Sequence, residues 1–233
     1  MQDQHGSRFG VLILGVALVG ILAGCSTSAS TSSTTTSSTS TGSGTASTGA
    51  PSIARFQGEL TNGESLTYEA TYSLTSPNAS GTFVVERMPP SSNRFDISTA
   101  GQQVAIIANA TTTYICDISK TPTRCVTGIQ DPIASFEHLV DPTQIIPALQ
   151  QAAANGTKSV TFSTQSVYGM TATCATITSG QPGTFCVTNQ GLLVSVTASN
   201  GSITLTGYTT TVPTSDFSPP AGATVSSLPA GAG

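Results

Sequence analysis

Alternation of apolar and polar residues with a period of two is the feature that most limits the folds open to this 233-residue chain. In LTYEATYSL (66–74), every second residue is apolar or small, and the residues between them are Thr, Glu or Ser. This pattern is typical of strands with one buried face. The predicted strands are 66–74, 81–87, 94–97, 103–108, 113–118, 159–164, 170–178, 184–188, 192–198 and 202–212. About ten strands at this spacing predict a mainly antiparallel sheet, as a sandwich, a barrel or an open half-barrel.

Turn residues separate the predicted strands. Asn62-Gly63 and Asn200-Gly201 suit tight type I′ hairpin turns, because both central positions of such a turn need positive φ. Pro89-Pro90 ends one strand, and Ala100-Gly101 lies between two others. These breaks favour hairpins, and therefore antiparallel pairing.

One segment, DPIASFEHLVDPTQIIPALQQAAANG (131–156), departs from the alternation and predicts two short helices. It contains two Asp-Pro pairs; aspartate caps a helix start, and proline is tolerated at the first helical position. The apolar residues that line the helices are Ile133, Phe136 and Val140 in the first, and Ile145, Leu149 and Ala152 in the second. A helical insert must cover one face of the sheet. It is therefore either a lid over a concavity or half of the core.

The amino terminus predicts export and lipid attachment. A polar stretch containing Arg8 precedes the apolar or small residues 10–24, which is the layout of a signal peptide and is short for a membrane-spanning helix. Leu22-Ala23-Gly24-Cys25 matches the lipobox of bacterial lipoproteins, in which the cysteine receives a diacylglycerol. Removal of residues 1–24 would leave Cys25 lipid-anchored in the cell envelope, on the extracytoplasmic side of a bacterial membrane. The alternatives are an ordinary signal peptide with a coincidental cysteine and an uncleaved anchor.

Composition divides the rest of the chain. Residues 25–50 comprise Cys25 and a tract in which 19 of 25 residues are Ser or Thr. Such a tract cannot bury apolar surface, so it is predicted to be a disordered tether. Residues 51–225 are predicted to form one β-rich domain, long enough to bury a core. Residues 226–233 are predicted to be a flexible tail.

Four cysteines follow Cys25, an even number in an exported chain, and they predict disulfides. Three pairings of these cysteines are possible. The pairs Cys116–Cys125 and Cys174–Cys186 are favoured because each is close in sequence, at opposite ends of a predicted turn. No CxxC spacing occurs, so structural staples are favoured over metal ligands.

Charge and motifs exclude several classes of function. The formal net charge is −4 and no basic patch occurs, which argues against nucleic acid as a partner. The histidine that remains after signal cleavage, His138, lies in a predicted helix. No G-x-S-x-G motif, zinc-ligand spacing or phosphate-binding loop accompanies it. We therefore expect a monomeric, non-enzymatic protein without a metal ion or cofactor.

The apolar side of the predicted strands supplies the candidate binding residues. Those on strands are Tyr68, Tyr72, Phe83, Phe95, Ile106 and Tyr114, and those on the insert are Phe136, Ile145 and Leu149. They form either a packed core or the lining of a cavity beneath the insert. Tyrosine combines an apolar ring with a polar hydroxyl, which favours the cavity.

Two further motifs are RMPPSSNRFDIS (87–98) and DFSPPAGATV (216–225). Together with the lipobox, the tether, the strands and the insert, they resemble the LolA/LppX-like bacterial lipoproteins and lipoprotein carriers. The short segment SIARFQGEL (52–60) stands where that family has an amphipathic helix. The resemblance covers 55–225 and implies an α+β fold. Its core would be a curved, open half-barrel of mainly antiparallel strands, with a short helical insert over one face.

Two functions follow as hypotheses. The resemblance implies that the concave face holds lipid acyl chains or another apolar ligand. The first hypothesis is therefore a membrane-tethered lipoprotein, not an enzyme, that binds a lipid or apolar molecule and handles envelope lipids or lipoproteins. The alternative is a non-catalytic envelope interaction or sensor module with a filled core. A cavity of roughly a few hundred Å³ beneath the insert would distinguish them.

Overall fold

One sheet contains the strands that the structure describes. In this computed structural model the described residues are 52–77, 79–128, 146, 149–150, 154, 159–178 and 182–227. The strands are β1 (Tyr68–Ser76), β2 (Ala79–Met88), β3 (Ser92–Thr99), β4 (Gln102–Ala108), β5 (Thr113–Asp117), β6 (Arg124–Thr127), β7 (Val160–Val167), β8 (Met170–Ile177), β9 (Gly183–Thr188), β10 (Leu193–Ala198), β11 (Gly201–Thr209) and β12 (Thr224–Ser227). Helix α1 (Ile53–Gly63) precedes β1, and a short 3-10 helix (Thr214–Phe217) precedes β12.

The sheet is open. Its strands lie in the order β12-β6-β5-β4-β3-β2-β1-β11-β10-β9-β8-β7. Neighbours are antiparallel except β12 and β6, which are parallel. Among the described residues, β7 and β12 each pair on one side only, so the sheet does not close into a barrel. The predicted fold class, an α+β fold built on a mainly antiparallel open half-barrel, is confirmed.

Two runs of sequential strands build the sheet and meet at its centre. Strands β1 to β6 lie on one side and β7 to β11 on the other, and β1 pairs with β11 where the runs meet. The register between β1 and β11 shifts at Thr71 and Tyr72, where Thr206 of β11 is the extra residue, and the register between β10 and β9 shifts at Leu193 and Ser195, where Val194 is the extra residue. Bulges of this kind bend the strand that holds the extra residue and increase its local twist.

Helix α1 begins where the sequence supplies both a cap and an apolar stripe. The Oγ atom of Ser52 accepts a hydrogen bond from the backbone N–H of Arg55 at 3.3 Å, which satisfies one free donor of the first turn. Phe56 and Leu60 lie four residues apart, and therefore on one face of the helix, and both are buried. The helix occupies the place that the family resemblance gave to SIARFQGEL.

The turn predictions have mixed outcomes. The hairpin turn predicted at Asn62-Gly63 is wrong, because these residues complete α1, whose apolar stripe is buried. The predicted hairpin at Asn200-Gly201 does join β10 to β11. Gly201 is not a central turn residue, however, because it is the first residue of β11 and pairs with Ala198 of β10. Positive φ at two successive turn residues occurs instead at Ala100-Gly101, with 46° and 83°, and at Tyr168-Gly169, with 51° and 71°.

Burial follows the predicted alternation and produces three apolar clusters. The first cluster includes Tyr68, Tyr72, Phe83, Phe95 and Ile106. The second joins α1 to β8–β10 and includes Phe56, Leu60, Leu149, Val187 and Leu193. The third includes Ala105, Ile107, Cys116, Cys125 and Phe217. Successive residues of a strand point to opposite faces, so Ile106 and Ile107 place the first and third clusters on opposite faces of β4.

Two disulfides join neighbouring strands. Cys116 in β5 is bonded to Cys125 in β6, and Cys174 in β8 is bonded to Cys186 in β9. Each pair is directly opposite in the register. These are the pairings that the short sequence separations favoured. Each disulfide joins the second and third strands counted from an end of the sheet.

Most of the predicted insert (131–156) lies outside the described residues. Within it the structure describes Ile146, Leu149, Gln150 and Ala154, all of them helical. Leu149 is buried in the second cluster, and Ile146 packs against that cluster.

The two chain ends differ in what the structure describes. The predicted signal peptide, Cys25 and the tether lie outside the described residues, as does the unit Met1–Thr45. At the other end, β12 continues to Ser227, past the predicted domain boundary at 225. Within the described part of the chain, no helix combines the length and the hydropathy needed to cross a bilayer.

Candidate functional site

Five of the predicted binding residues form a continuous apolar band, which we call the aromatic ribbon: Tyr68, Tyr72, Phe83, Phe95 and Ile106. The register sets it, because Tyr72 lies opposite Phe83 and Phe95 lies opposite Ile106. The rings of Tyr72 and Phe83 lie 6.2 Å apart, and those of Phe83 and Phe95 are stacked at 5.9 Å. The ribbon therefore crosses the four neighbouring strands β1 to β4, and its members are 1–7% exposed.

The tyrosine hydroxyls of the ribbon are constrained by the protein itself. The hydroxyl of Tyr72 donates a hydrogen bond to the carbonyl oxygen of Leu193 at 2.9 Å, and both groups are buried. Burial raises the pKa of Tyr72 well above its usual value. Burial also raises the pKa of Tyr68, with the Arg87 guanidinium acting in the opposite direction. Both side chains are therefore neutral in the ordinary pH range.

The other four predicted residues do not join the ribbon in the described structure. Tyr114 packs against the third cluster, on the opposite face, because Ile115 is the register partner of Ile106. Leu149 lies in the second cluster. Phe136 and Ile145 lie outside the described residues. Ligand contact at all nine positions stays a prediction.

A polar cavity of about 320 Å³ lies between α1 and one end of the sheet. The described residues that line this polar cavity are Arg55, Glu59, Thr164, Met170, Thr171, Thr173, Thr188, Asn189 and Gln190. They come from α1, from strands β7 to β9, and from the connection after β9. None of the nine predicted binding residues is among them.

Glu59 is the most constrained group of the polar cavity. Its side chain is 7% exposed. The Oε1 atom accepts hydrogen bonds from Nε of Arg55 at 3.0 Å and from Oγ1 of Thr173 at 3.1 Å. The Oε2 atom is buried and has no hydrogen-bond partner within the described part of the chain. A buried carboxylate oxygen without a partner is costly, and Glu59 is one of the residues that line the cavity.

The position of Glu59 follows from the way α1 is held. Arg55 and Glu59 are four residues apart and therefore neighbours on the helix surface. Gly63, at the end of α1, lies directly against Gly191, and an added Cβ on Gly63 would be 2.4 Å from the carbonyl oxygen of Gly191. Asn62 Nδ2 donates to the carbonyl oxygen of Asn189 at 3.2 Å. The helix and the β9–β10 connection thus form one wall of the polar cavity.

The polar cavity was not predicted, although the sequence contains two signals for it. The Arg55–Glu59 spacing lies within SIARFQGEL, and Glu59 directly precedes the buried Leu60. Thr171 and Thr173 share one side of β8 by alternation. The candidate binding residues were instead chosen from the apolar side of the predicted strands and insert.

A second charged group lies on the face of the sheet opposite the aromatic ribbon, because Arg94 and Asp96 flank the ribbon residue Phe95 in β3. Arg94 contacts Asp96 at 2.8 Å and Glu86 at 3.8 Å, and its Nη1 donates to the carbonyl oxygen of Asp216 at 3.0 Å. Burial raises the pKa of Glu86 to about 7; Arg94 opposes this, while Asp216, Asp96 and Glu69 add to it. The group ties the segment before β12 to β2 and β3.

The described residues contain no group of three or more His, Cys, Asp or Glu that could hold a metal ion. His138, which the sequence analysis assigned no catalytic role, lies outside them.

No protein-family model matches the sequence, and comparison with curated proteins found no match. Among solved structures, the chain is similar to MucB in complex with MucA(peri), with 13% identity and a TM-score of 0.49, over 73% of this chain and 61% of that one. The Pseudomonas aeruginosa MucA/MucB complex gives 12% identity and a TM-score of 0.48, over 76% and 64%. A domain from Vibrio parahaemolyticus described as outer membrane lipoprotein-sorting gives 8% identity and a TM-score of 0.29, over 71% and 95%.

The chain spans less than two thirds of the length of these MucB structures. All three TM-scores lie below 0.5. No function of these proteins is carried over to this chain.

Proposed function

We propose that this chain is a non-enzymatic lipoprotein of the bacterial cell envelope that binds a lipid or another apolar molecule in its half-barrel. The aromatic ribbon is the observation that supports this proposal most directly. It is a continuous apolar band on an open sheet. The ribbon side chains are themselves only 1–7% exposed, so the gain would come from the ligand: an acyl chain that entered beside the band would gain roughly 25 cal/mol for each Å² of its own apolar surface removed from water.

The proposed location rests on the sequence. Leu22-Ala23-Gly24-Cys25 predicts a lipid on Cys25, and the Ser/Thr tract after it predicts a flexible tether. Two or three acyl chains hold a protein on a membrane far more firmly than one. A tethered domain on the extracytoplasmic side would meet membrane lipids without leaving the surface.

A second candidate function is a non-catalytic interaction or sensor module with a filled core. The packing of the ribbon favours it: Phe83 lies between Tyr72 and Phe95, and the hydroxyl of Tyr72 is bonded to the backbone. If these rings keep this packing in solution, an apolar ligand has no space there.

Native mass spectrometry distinguishes the two functions. Protein expressed from Ser26 onward, and so without the lipid on Cys25, is incubated with phospholipid vesicles and re-isolated. If an apolar ligand binds, the unmodified protein should carry bound lipid, and Ala108→Phe should carry less of it. Ala108 is partly buried and packs against the first cluster, which contains the ribbon, so the larger side chain would occupy space beside the ribbon. Ala223→Phe is the matched control, because partly buried Ala223 packs against the third cluster. Absence of bound lipid from the unmodified protein would favour the filled-core module.

A further inference from the structure

The polar cavity has a chemistry unlike that of the aromatic ribbon. Four of its lining residues are threonines and two carry amides, beside one Arg–Glu ion pair and one methionine. Hydroxyl and amide groups both donate and accept hydrogen bonds. A volume of about 320 Å³ lies within the range of about 300–1,000 Å³ that is usual for small-molecule sites. The cavity therefore suits a small ligand with many hydrogen-bonding groups.

The charge of the polar cavity restricts its ligand further. Arg55 and Glu59 are paired at 3.0 Å, so the two charges cancel locally. A cationic ligand that reached Glu59 would lie beside the Arg55 guanidinium, and an anionic ligand that reached Arg55 would lie beside the carboxylate. A neutral ligand avoids both repulsions.

The oxygen atom of Glu59 that has no partner indicates that the ligand should carry a hydrogen-bond donor. Glu59 Oε2 is buried without a hydrogen-bond partner among the described residues, while Oε1 already accepts from Arg55 and Thr173. Oε2 is covered in this structure, so the Glu59 side chain must turn toward the cavity before a ligand hydroxyl can donate to it; the same hydroxyl can accept from neighbouring threonine or amide groups. Hydrogen bonds to a charged acceptor are among the stronger ones.

We propose that the polar cavity is a binding site for a neutral, hydroxyl-rich ligand, a saccharide, with Glu59 Oε2 accepting a hydrogen bond from one of its hydroxyl groups. This site is distinct from the aromatic ribbon. It does not rest on the proposed binding of lipid, and it goes beyond it. Lipid retained in native mass spectrometry together with no saccharide binding would overturn this inference alone.

Saturation-transfer NMR on the full lipid-anchored protein tests the proposal. The protein is held in a phosphocholine detergent, because detergents with sugar head groups would compete. The probes are glucose, galactose, mannose and N-acetylglucosamine, with butylamine and acetate as charged comparisons. At least one sugar is expected to show saturation transfer. Failure of all four sugars to show saturation transfer would overturn the proposal.

Single substitutions test whether the sugar binds in the polar cavity. Glu59→Gln keeps the shape but replaces a carboxylate oxygen with a donor, so the sugar affinity is expected to fall about tenfold or more. Gln190→Ala, at an exposed cavity position, should weaken binding without affecting the fold. Gln102→Ala, at an exposed position on β4, is the matched control and should bind like the unmodified protein.

Two other outcomes would also overturn the proposal. One is sugar binding that neither Glu59→Gln nor Gln190→Ala weakens. The other is Glu59-dependent binding of butylamine without binding of any sugar, which would identify a cation site instead.

Discussion

Gly63 and Gly191 are in direct backbone contact, and neither position has room for a side chain. An added Cβ on Gly191 would lie 2.1 Å from the backbone nitrogen of Gly63 and 2.4 Å from the carbonyl oxygen of Glu59. Real Cβ atoms do not approach backbone so closely. This contact joins the end of α1 to the connection between β9 and β10, and it positions Glu59 in the polar cavity.

Gly191→Ala is therefore expected to destabilise the protein by about 2–4 kcal/mol, through the clash and through its φ of +92°. Gly58→Ala is the matched control, because a Cβ there meets nothing within 4 Å. Alanine in a helix interior is favoured over glycine, so the control should be more stable by about 0.5–1 kcal/mol. Urea unfolding of both variants measures the two effects. Equal stabilities for the two variants would contradict the close contact.

Glu86 predicts a pH dependence of stability. Burial raises its pKa from 4.5 to about 7. Between these values the folded protein holds a proton that the unfolded chain has released. The protonated Glu86 side chain therefore makes its full contribution to the free energy of unfolding below pH 4.5, and that contribution is lost as the pH rises through about 7.

Glu86→Gln imitates the protonated side chain and should remove this dependence. We expect the variant to gain on the order of 2 kcal/mol over the unmodified protein near pH 8, and to match it within about 0.5 kcal/mol near pH 5. Urea unfolding at the two pH values gives the difference in free energy of unfolding. A difference that is the same at both values would show that Glu86 is not the group responsible.

The disulfides are expected to contribute separately to stability. Replacing Cys116 and Cys125, or Cys174 and Cys186, with alanine opens loops of similar sequence separation, 9 and 12 residues. The chain-entropy model gives about 3 kcal/mol for each disulfide. The two pairs belong to different apolar clusters, so their effects should add within about 0.5 kcal/mol.

Urea unfolding of the two double variants and the quadruple variant measures this additivity. Reduction of the unmodified protein should reproduce the quadruple variant. A loss below about 1 kcal/mol for either pair would show that the bonded residues are already held by the sheet alone.

The strands were largely predictable because alternation is a local property. Each of the ten predicted segments contains or overlaps a strand of the sheet. The two strands that were missed, β6 (Arg124–Thr127) and β12 (Thr224–Ser227), have four residues each. Four residues are too few to show a period, and the parallel pairing of β12 with β6 joins distant parts of the chain.

The turn at Tyr168-Gly169 and the assembly of the polar cavity were not predictable, for physical reasons. Tyr168-Gly169 forms a tight turn with positive φ at both residues. Tyrosine rarely adopts that conformation. The turn forms because Val167 of β7 pairs with Met170 of β8, which leaves only two residues to connect the strands. The cavity depends on contacts across the fold, such as Thr173 with Glu59. The spacing of Arg55 and Glu59 and the alternation of Thr171 and Thr173 are local patterns, but neither shows that the helix and the strand meet.

The hydrogen bond from Tyr72 to Leu193 gives the last prediction, which tests whether the aromatic ribbon is fixed. The hydroxyl of Tyr72 donates to the buried carbonyl oxygen of Leu193 at 2.9 Å. Tyr72→Phe keeps the ring but leaves that oxygen without this donor, so the free energy of unfolding should fall by about 1–3 kcal/mol. Tyr168→Phe is the control, because Tyr168 is 53% exposed, and it should change stability by less than about 0.5 kcal/mol. If urea unfolding gives Tyr72→Phe the stability of the unmodified protein, this hydrogen bond does not hold the ribbon in its packing. That result would weaken the filled-core module and favour the lipid-binding function.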